Sequence, residues 1–167
     1  MKSKDIIIGL VVLAGLALIV VVVKNYTTRK VVSTPTPTTS QTQENIERTF
    51  NLDIPEDYEK AELKDVSKGE GSAIATRKLE DGVFKHMVLA DLPDPEAGTF
   101  YEGWLVRGKS GDSNFAFIST GKLRIAKGGY LLEFESKTDY SDYKGVVITL
   151  EKVDDKKPEI HILEGSF

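Results

Sequence analysis

The sequence predicts an all-β fold, an antiparallel β-sandwich with Greek-key-like connections, preceded by one N-terminal transmembrane helix and a flexible stalk. Three observations predict it. Eighteen consecutive apolar residues run from Ile6 to Val23. A Thr/Pro/Gln-rich stretch with few apolar side chains follows, which opposes a packed core. Beyond it, seven short runs rich in β-branched and aromatic residues are separated by turn formers. The 167-residue chain divides accordingly into a cytoplasmic stub at 1–5, a transmembrane helix at 6–23, a linker at 24–47, a short lead-in, possibly helical, at 48–68, and a β-sandwich at 69–167.

As a helix, the apolar run would extend about 27 Å, close to the hydrocarbon thickness of a bilayer. A cleaved signal peptide is its rival, but such a segment has a shorter apolar region and a small-residue cleavage site, whereas this one ends in four valines and Lys24. Local charge does not orient it, because Lys2 and Lys4 are matched by Lys24, Arg29 and Lys30. Beyond residue 40 there are 17 basic and 25 acidic residues, a net charge of −8, which argues against nucleic acid or an anionic lipid surface as partner of the folded part. The expected arrangement is single-pass in the cell membrane, with the lipid bilayer contacted through Ile6 to Val23, the N-terminus cytoplasmic and the C-terminal domain outside.

The lead-in has scattered apolar residues, with Pro55 as a candidate helix start. The strand candidates are 72–79, 83–89, 100–106, 114–119, 130–135, 146–152 and 159–163. Alternation is clearest where Tyr130, Leu132 and Phe134 share one face, and where Val146, Ile148 and Leu150 do. Glu80-Asp81-Gly82, the Lys109–Asp112 segment and Lys127-Gly128-Gly129 supply hairpin turns. Helices long enough for parallel crossovers are missing, and a sheet with one wet and one dry face needs a second apolar layer.

Composition removes several chemistries. There is no cysteine, so disulfides, thiolate metal sites and cysteine nucleophiles are excluded. His86 and His161 fall in different strands, too little for a zinc site. Asp91, Asp94, Glu96, Asp112, Asp139 and Asp142 lie in loops without calcium-loop spacing. No serine stands in a nucleophile elbow, and Gly108-Lys109-Ser110-Gly111 lacks the order of a phosphate loop and reads as a turn. No catalytic, cofactor or metal residue is assigned, and the chain is not expected to be an enzyme.

The most informative stretch runs from Leu92 to Leu105, LPDPEAGTFYEGWL. It resembles the loop-and-strand signature of the extracytoplasmic domain in the anti-sigma-K factor family, with Leu92, Pro93, Ala97, Gly98, Tyr101, Trp104 and Leu105 on matching positions. The resemblance continues through Phe115-Ala116-Phe117 and the terminal strands, covering roughly residues 70–167. It implies a membrane-tethered β-sandwich facing away from the cytoplasm, with no catalytic residues to carry over. It would ordinarily also imply a cytoplasmic sigma-binding domain, but only Met1 to Asp5 precede the apolar run, so direct sigma-factor binding is not expected. The expected function is a non-catalytic interaction or sensory module that binds an envelope protein or polymer. The alternatives are a partner-dependent regulator in anti-sigma signalling and a structural envelope protein.

Overall fold

The structure, a computed structural model, describes residues 40–167. One helix, α1 (Gln41–Phe50), precedes nine strands: β1 (Glu59–Asp65), β2 (Ser72–Glu80), β3 (Val83–Asp91), β4 (Phe100–Arg107), β5 (Ala116–Lys122), β6 (Arg124–Ala126), β7 (Gly129–Ser136), β8 (Gly145–Glu151) and β9 (Ile160–Ser166). Ser40 caps the helix by accepting a hydrogen bond from the Gln43 N–H at 3.1 Å. Asn51 ends it in the left-handed conformation, one that asparagine tolerates. Ile46 and Phe50, four residues apart, bury one face against Ile74 and Leu89. The helix thus takes up the last part of the stretch read as linker. The lead-in carries β1: Ala61 and Leu63 point inward while Glu62 and Lys64 do not, a period of two rather than of a helix.

All pairings are antiparallel, in the order β5-β4-β8-β9-β1-β2-β3-β7-β6. The two ends of that order are neighbours in sequence, since Leu123 alone separates β5 from β6. One continuous piece of chain therefore pairs with β4 through its first part and with β7 through its second. The sheet curls into a nearly closed barrel, which corrects the expected two-sheet sandwich. A sheet that is wet on one face and dry on the other can find its second apolar layer in its own opposite wall. Leu63, Val88, Leu105, Leu132, Ile148 and Leu163 fill that interior and are at most 2% exposed. Gly103 is required there, because a Cβ at that position would lie 2.5 Å from the Leu132 Cδ1.

Two joins close the barrel unequally. Strand β1 meets β9 over only two registered pairs, Lys64 with Glu164 and Asp65 with Leu163, extended by the Val66 N–H donating to the Ile162 carbonyl at 2.9 Å. Gly165 permits this close approach, since a Cβ there would sit 2.3 Å from the Glu62 carbonyl oxygen. The other join runs between β5 and β7.

Polar groups occupy one end of the interior. Arg77 donates through Nε to Glu59 at 2.7 Å and through Nη1 to the Tyr143 carbonyl at 2.8 Å, and its guanidinium lies 4.1 Å from the Phe167 ring centre. Beside it, the His86 Nδ1 lies 2.9 Å from the Thr76 carbonyl oxygen. Burial, with a smaller contribution from the Arg77 charge, pushes the His86 pKa down to about 4.

The membrane reading is corrected as well. Ile6–Val23 lies outside the described residues, and among the described residues no helix is long and apolar enough to cross a membrane. Single-pass topology, a bilayer partner and extracytoplasmic placement find no support in the structure. With them go the membrane-displayed interaction or sensory module, its envelope protein or polymer partner, the anti-sigma regulator and the structural envelope protein. What stands is a mostly β-barrel domain.

Candidate functional site: an aromatic groove on the outer wall

The motif residues of the Leu92–Leu105 stretch divide by position on β4 and its preceding loop. Leu92 is buried, whereas Pro93, Ala97 and Gly98 are exposed, with Gly98 at φ 89°. Tyr101 points into the barrel end, where its hydroxyl donates to the Pro93 carbonyl at 3.1 Å and its ring meets Tyr130 edge-on at 5.3 Å. The Tyr130 hydroxyl in turn donates to Asp94 at 2.7 Å, and burial together with that carboxylate pushes Tyr130 up to about 12. These two tyrosines hold the β3–β4 loop over the barrel end. Leu105 is fully buried inside.

Trp104 falls on the opposite face of β4, outside the barrel, yet it is only 1% exposed. Its Nε1–H donates to the Thr149 hydroxyl at 2.7 Å, and the Phe117 ring covers it edge-on at 5.9 Å. Phe115 lies 5.9 Å beyond Phe117. Alternation places Trp104, Phe115, Phe117, Val147 and Thr149 on one outer wall. At the far side of that wall, Glu102 accepts from the Ser119 hydroxyl, and burial raises its pKa. The fully buried Glu151 accepts from the Glu159 N–H at 3.0 Å, which fastens the β8–β9 hairpin.

Along this wall runs a groove of about 430 Å³. Trp104, Val106 and Val147 form its floor, and Phe115 and Phe117, each 39% exposed, form one bank. Lys109 and Ser110, in the β4–β5 turn, sit at one end, and Pro158, His161 and Glu164, from β9 and the residues just before it, lie across β4 and β8 from the phenylalanines as the other bank. The Lys109 turn is fixed by its backbone N–H donating to Asp112 at 2.8 Å, and by Gly108 at φ 69°. His161 lies with Nδ1 2.5 Å from the Glu164 Oε1. In a regular strand these two would face opposite sides, but the register shift opposite Ile148/Thr149 inserts Ile162 and turns both toward the groove.

That pair resembles the base and orienting members of a hydrolytic triad, and Ser110 lines the same groove. No hydrogen bond joins Ser110 to His161 among the described residues, so a nucleophile is not engaged. The loop acids are dispersed into local roles: Asp142 pairs with Arg107 at 2.6 Å, Asp139 accepts from the Ser141 N–H at 2.8 Å, and Asp94 serves Tyr130. Among the described residues, no group of three or more His, Asp or Glu could hold a metal ion. The sequence puts Lys109 in a turn, Phe115 and Phe117 in one strand and His161 in another, and does not reveal that they converge. Glu164 was not singled out at all.

No protein-family model, no curated protein and no solved structure matches this chain.

Proposed function

We propose that the barrel is a non-catalytic binding domain whose outer groove takes a small ligand with an apolar, ring-sized body and an anionic group. The observation that carries the reading is the groove itself. Its volume of about 430 Å³ falls within the roughly 300–1,000 Å³ of small-molecule sites, and two large apolar rings bank it while remaining open to solvent. Lys109, an exposed cation at one end, supplies the point charge for an anion, and His161 supplies a hydrogen-bonding group on the bank opposite the phenylalanines. Kinship with the anti-sigma-K extracytoplasmic domain belongs to the same proposal as a matter of fold-building residues. Leu92, Tyr101 and Leu105 pack at the barrel end or in the core, and Trp104 floors the groove, so none of them is required for chemistry.

The probe is naphthoate, titrated into the full chain while Trp104 emission is followed, with the neutral naphthalenemethanol as its control. About a dozen heavy atoms at roughly 0.3 kcal/mol each correspond to a Kd of about 1–2 mM. Phe117→Ala should weaken both probes. Lys109→Met should weaken naphthoate several-fold and leave the neutral probe unchanged. Non-saturable titration, or binding indifferent to Phe117→Ala, would overturn the groove as a site. Turnover of naphthyl acetate that is lost in His161→Ala would overturn the non-catalytic reading.

A further inference from the structure

The join between β5 and β7 is left unmade along most of its length. Strand β5 is registered only with β4, over residues 102–107 against 116–122. Strand β7 is registered with β6 only at Tyr130 and its two neighbours, and from Leu132 to Ser136 it pairs with β3 alone. Leu123 pins the apex, because its N–H donates to the Tyr101 carbonyl at 2.9 Å before the chain turns to β7. From that apex the edges of Ala116–Gly121 and Leu132–Ser136 face one another with no ladder between them. Such edges are normally paired, covered or charged.

A slot of about 510 Å³ occupies this opening. Ile118, Thr120 and Gly121 line one side, Phe134 the other, and Phe117 and Lys156 border it. Thr120 is 6% exposed, and its hydroxyl is buried without a hydrogen-bond partner. That hydroxyl turns inward, since a Cβ at Gly103 would lie 2.8 Å from it, so Thr120 marks the barrel-side wall of the slot.

We infer that the opening is a strand-addition site for an extended polypeptide segment of about five or six residues. The occupant's class follows from the edges, since only another extended backbone repeats donors and acceptors at the spacing that two unpaired strands present. Its inward side chains are apolar, to meet Ile118 and Phe134. At least one outward side chain is acidic, because Lys156 is the only charged side chain lining the slot among the described residues and makes no ion pair there. The slot shares Trp104 and Phe117 with the groove, but the inference rests on the unpaired backbone of β5 and β7 and needs neither Lys109 nor His161.

The test uses the full chain and an amidated hexapeptide alternating valine with aspartate, set against the same peptide methylated on alternate backbone nitrogens. Hydrogen exchange is followed residue by residue. The plain peptide should slow exchange at least tenfold at the amides of Ala116–Gly121 and Leu132–Ser136 that exchange freely without it, and the methylated peptide should not. Lys156→Glu should weaken the effect for this peptide and restore it for one alternating valine with lysine. Three results overturn the inference: no protection at these edges, equal protection by the methylated peptide, or protection that appears without peptide as protein concentration rises, which would identify a second copy of the chain as the occupant.

Discussion

The two outer walls of the barrel are covered in different ways. On the wall of β2, β3 and β7, α1 lays Ile46 and Phe50 over Ile74 and Leu89, and Ile54 extends the cover, so a chain segment with its own apolar stripe seals the sheet. On the wall of β4, β5 and β8, Trp104 is sealed by one ring, Phe117, with Phe115 beside it. A helix removes apolar surface from water along its whole length. Isolated rings leave gaps between themselves, and the groove is such a gap. The difference separates a wall committed to stability from one that retains a concave surface.

The largest effect should come from the ring-covered wall. Trp104→Ala is expected to cost about 3–5 kcal/mol in denaturant melts, through lost burial, a residual cavity and the lost hydrogen bond to the Thr149 hydroxyl. Wild-type Trp104 should emit blue-shifted and resist iodide quenching. A change below about 0.5 kcal/mol would show that the ring cover stabilises nothing and would break the comparison on that side.

On the helix-covered wall, Ile46→Ala should cost about 2–4 kcal/mol, because Ile46 is 1% exposed and packs between helix and sheet. The melt should stay cooperative, with α1 and the sheet lost together. A separate early loss of helical signal would show that α1 is a detachable lid and would erase the distinction drawn between the walls.

The interior supplies the third measurement, which belongs to neither cover. The folded pKa of His86 lies near 4, below its ordinary 6.5, so between these values the unfolded chain binds more protons than the native one. The stability tied to neutral His86 is complete above pH 6.5 and is lost as pH falls toward 4, by roughly 3 kcal/mol at most. His86→Gln should flatten the slope of stability against pH in that window. A slope unchanged by the substitution would move the acid sensitivity to other groups.

Much of the β-structure was legible because Tyr130/Leu132 and Val146/Ile148 alternate with polar neighbours, and the wet-dry pattern fixes which side is inside, whereas the shorter Ala61/Leu63 alternation of β1 was masked by the scattered apolar residues around it. Closure was not. Gly121-Lys122-Leu123-Arg124 has the look of a loop, with a glycine and two cations around one leucine, yet Leu123 is 7% exposed and is the hinge that joins both edges of the sheet. Nothing in alternation tells a sheet that meets a second sheet from one that meets itself. The helix was hidden because Gln41–Phe50 is almost wholly polar, and only the Ile46/Phe50 spacing signals it. The groove was hidden because a bulge, which sequence periodicity does not reveal, brings His161 and Glu164 to one side.

The short β1–β9 join has a temporal consequence. As the chain leaves the ribosome, β2 can pair with β1 and β8 with β4, but the free edge of β1 and that of β8 both wait for Ile160–Ser166, about a hundred residues after β1 has emerged. Folding is therefore gated by a contact of very long sequence separation, which places the barrel among slow, milliseconds-to-seconds folders. Until β9 arrives, two bare strand edges stand open together, and this interval is when the nascent chain is most exposed to pairing with the wrong neighbour.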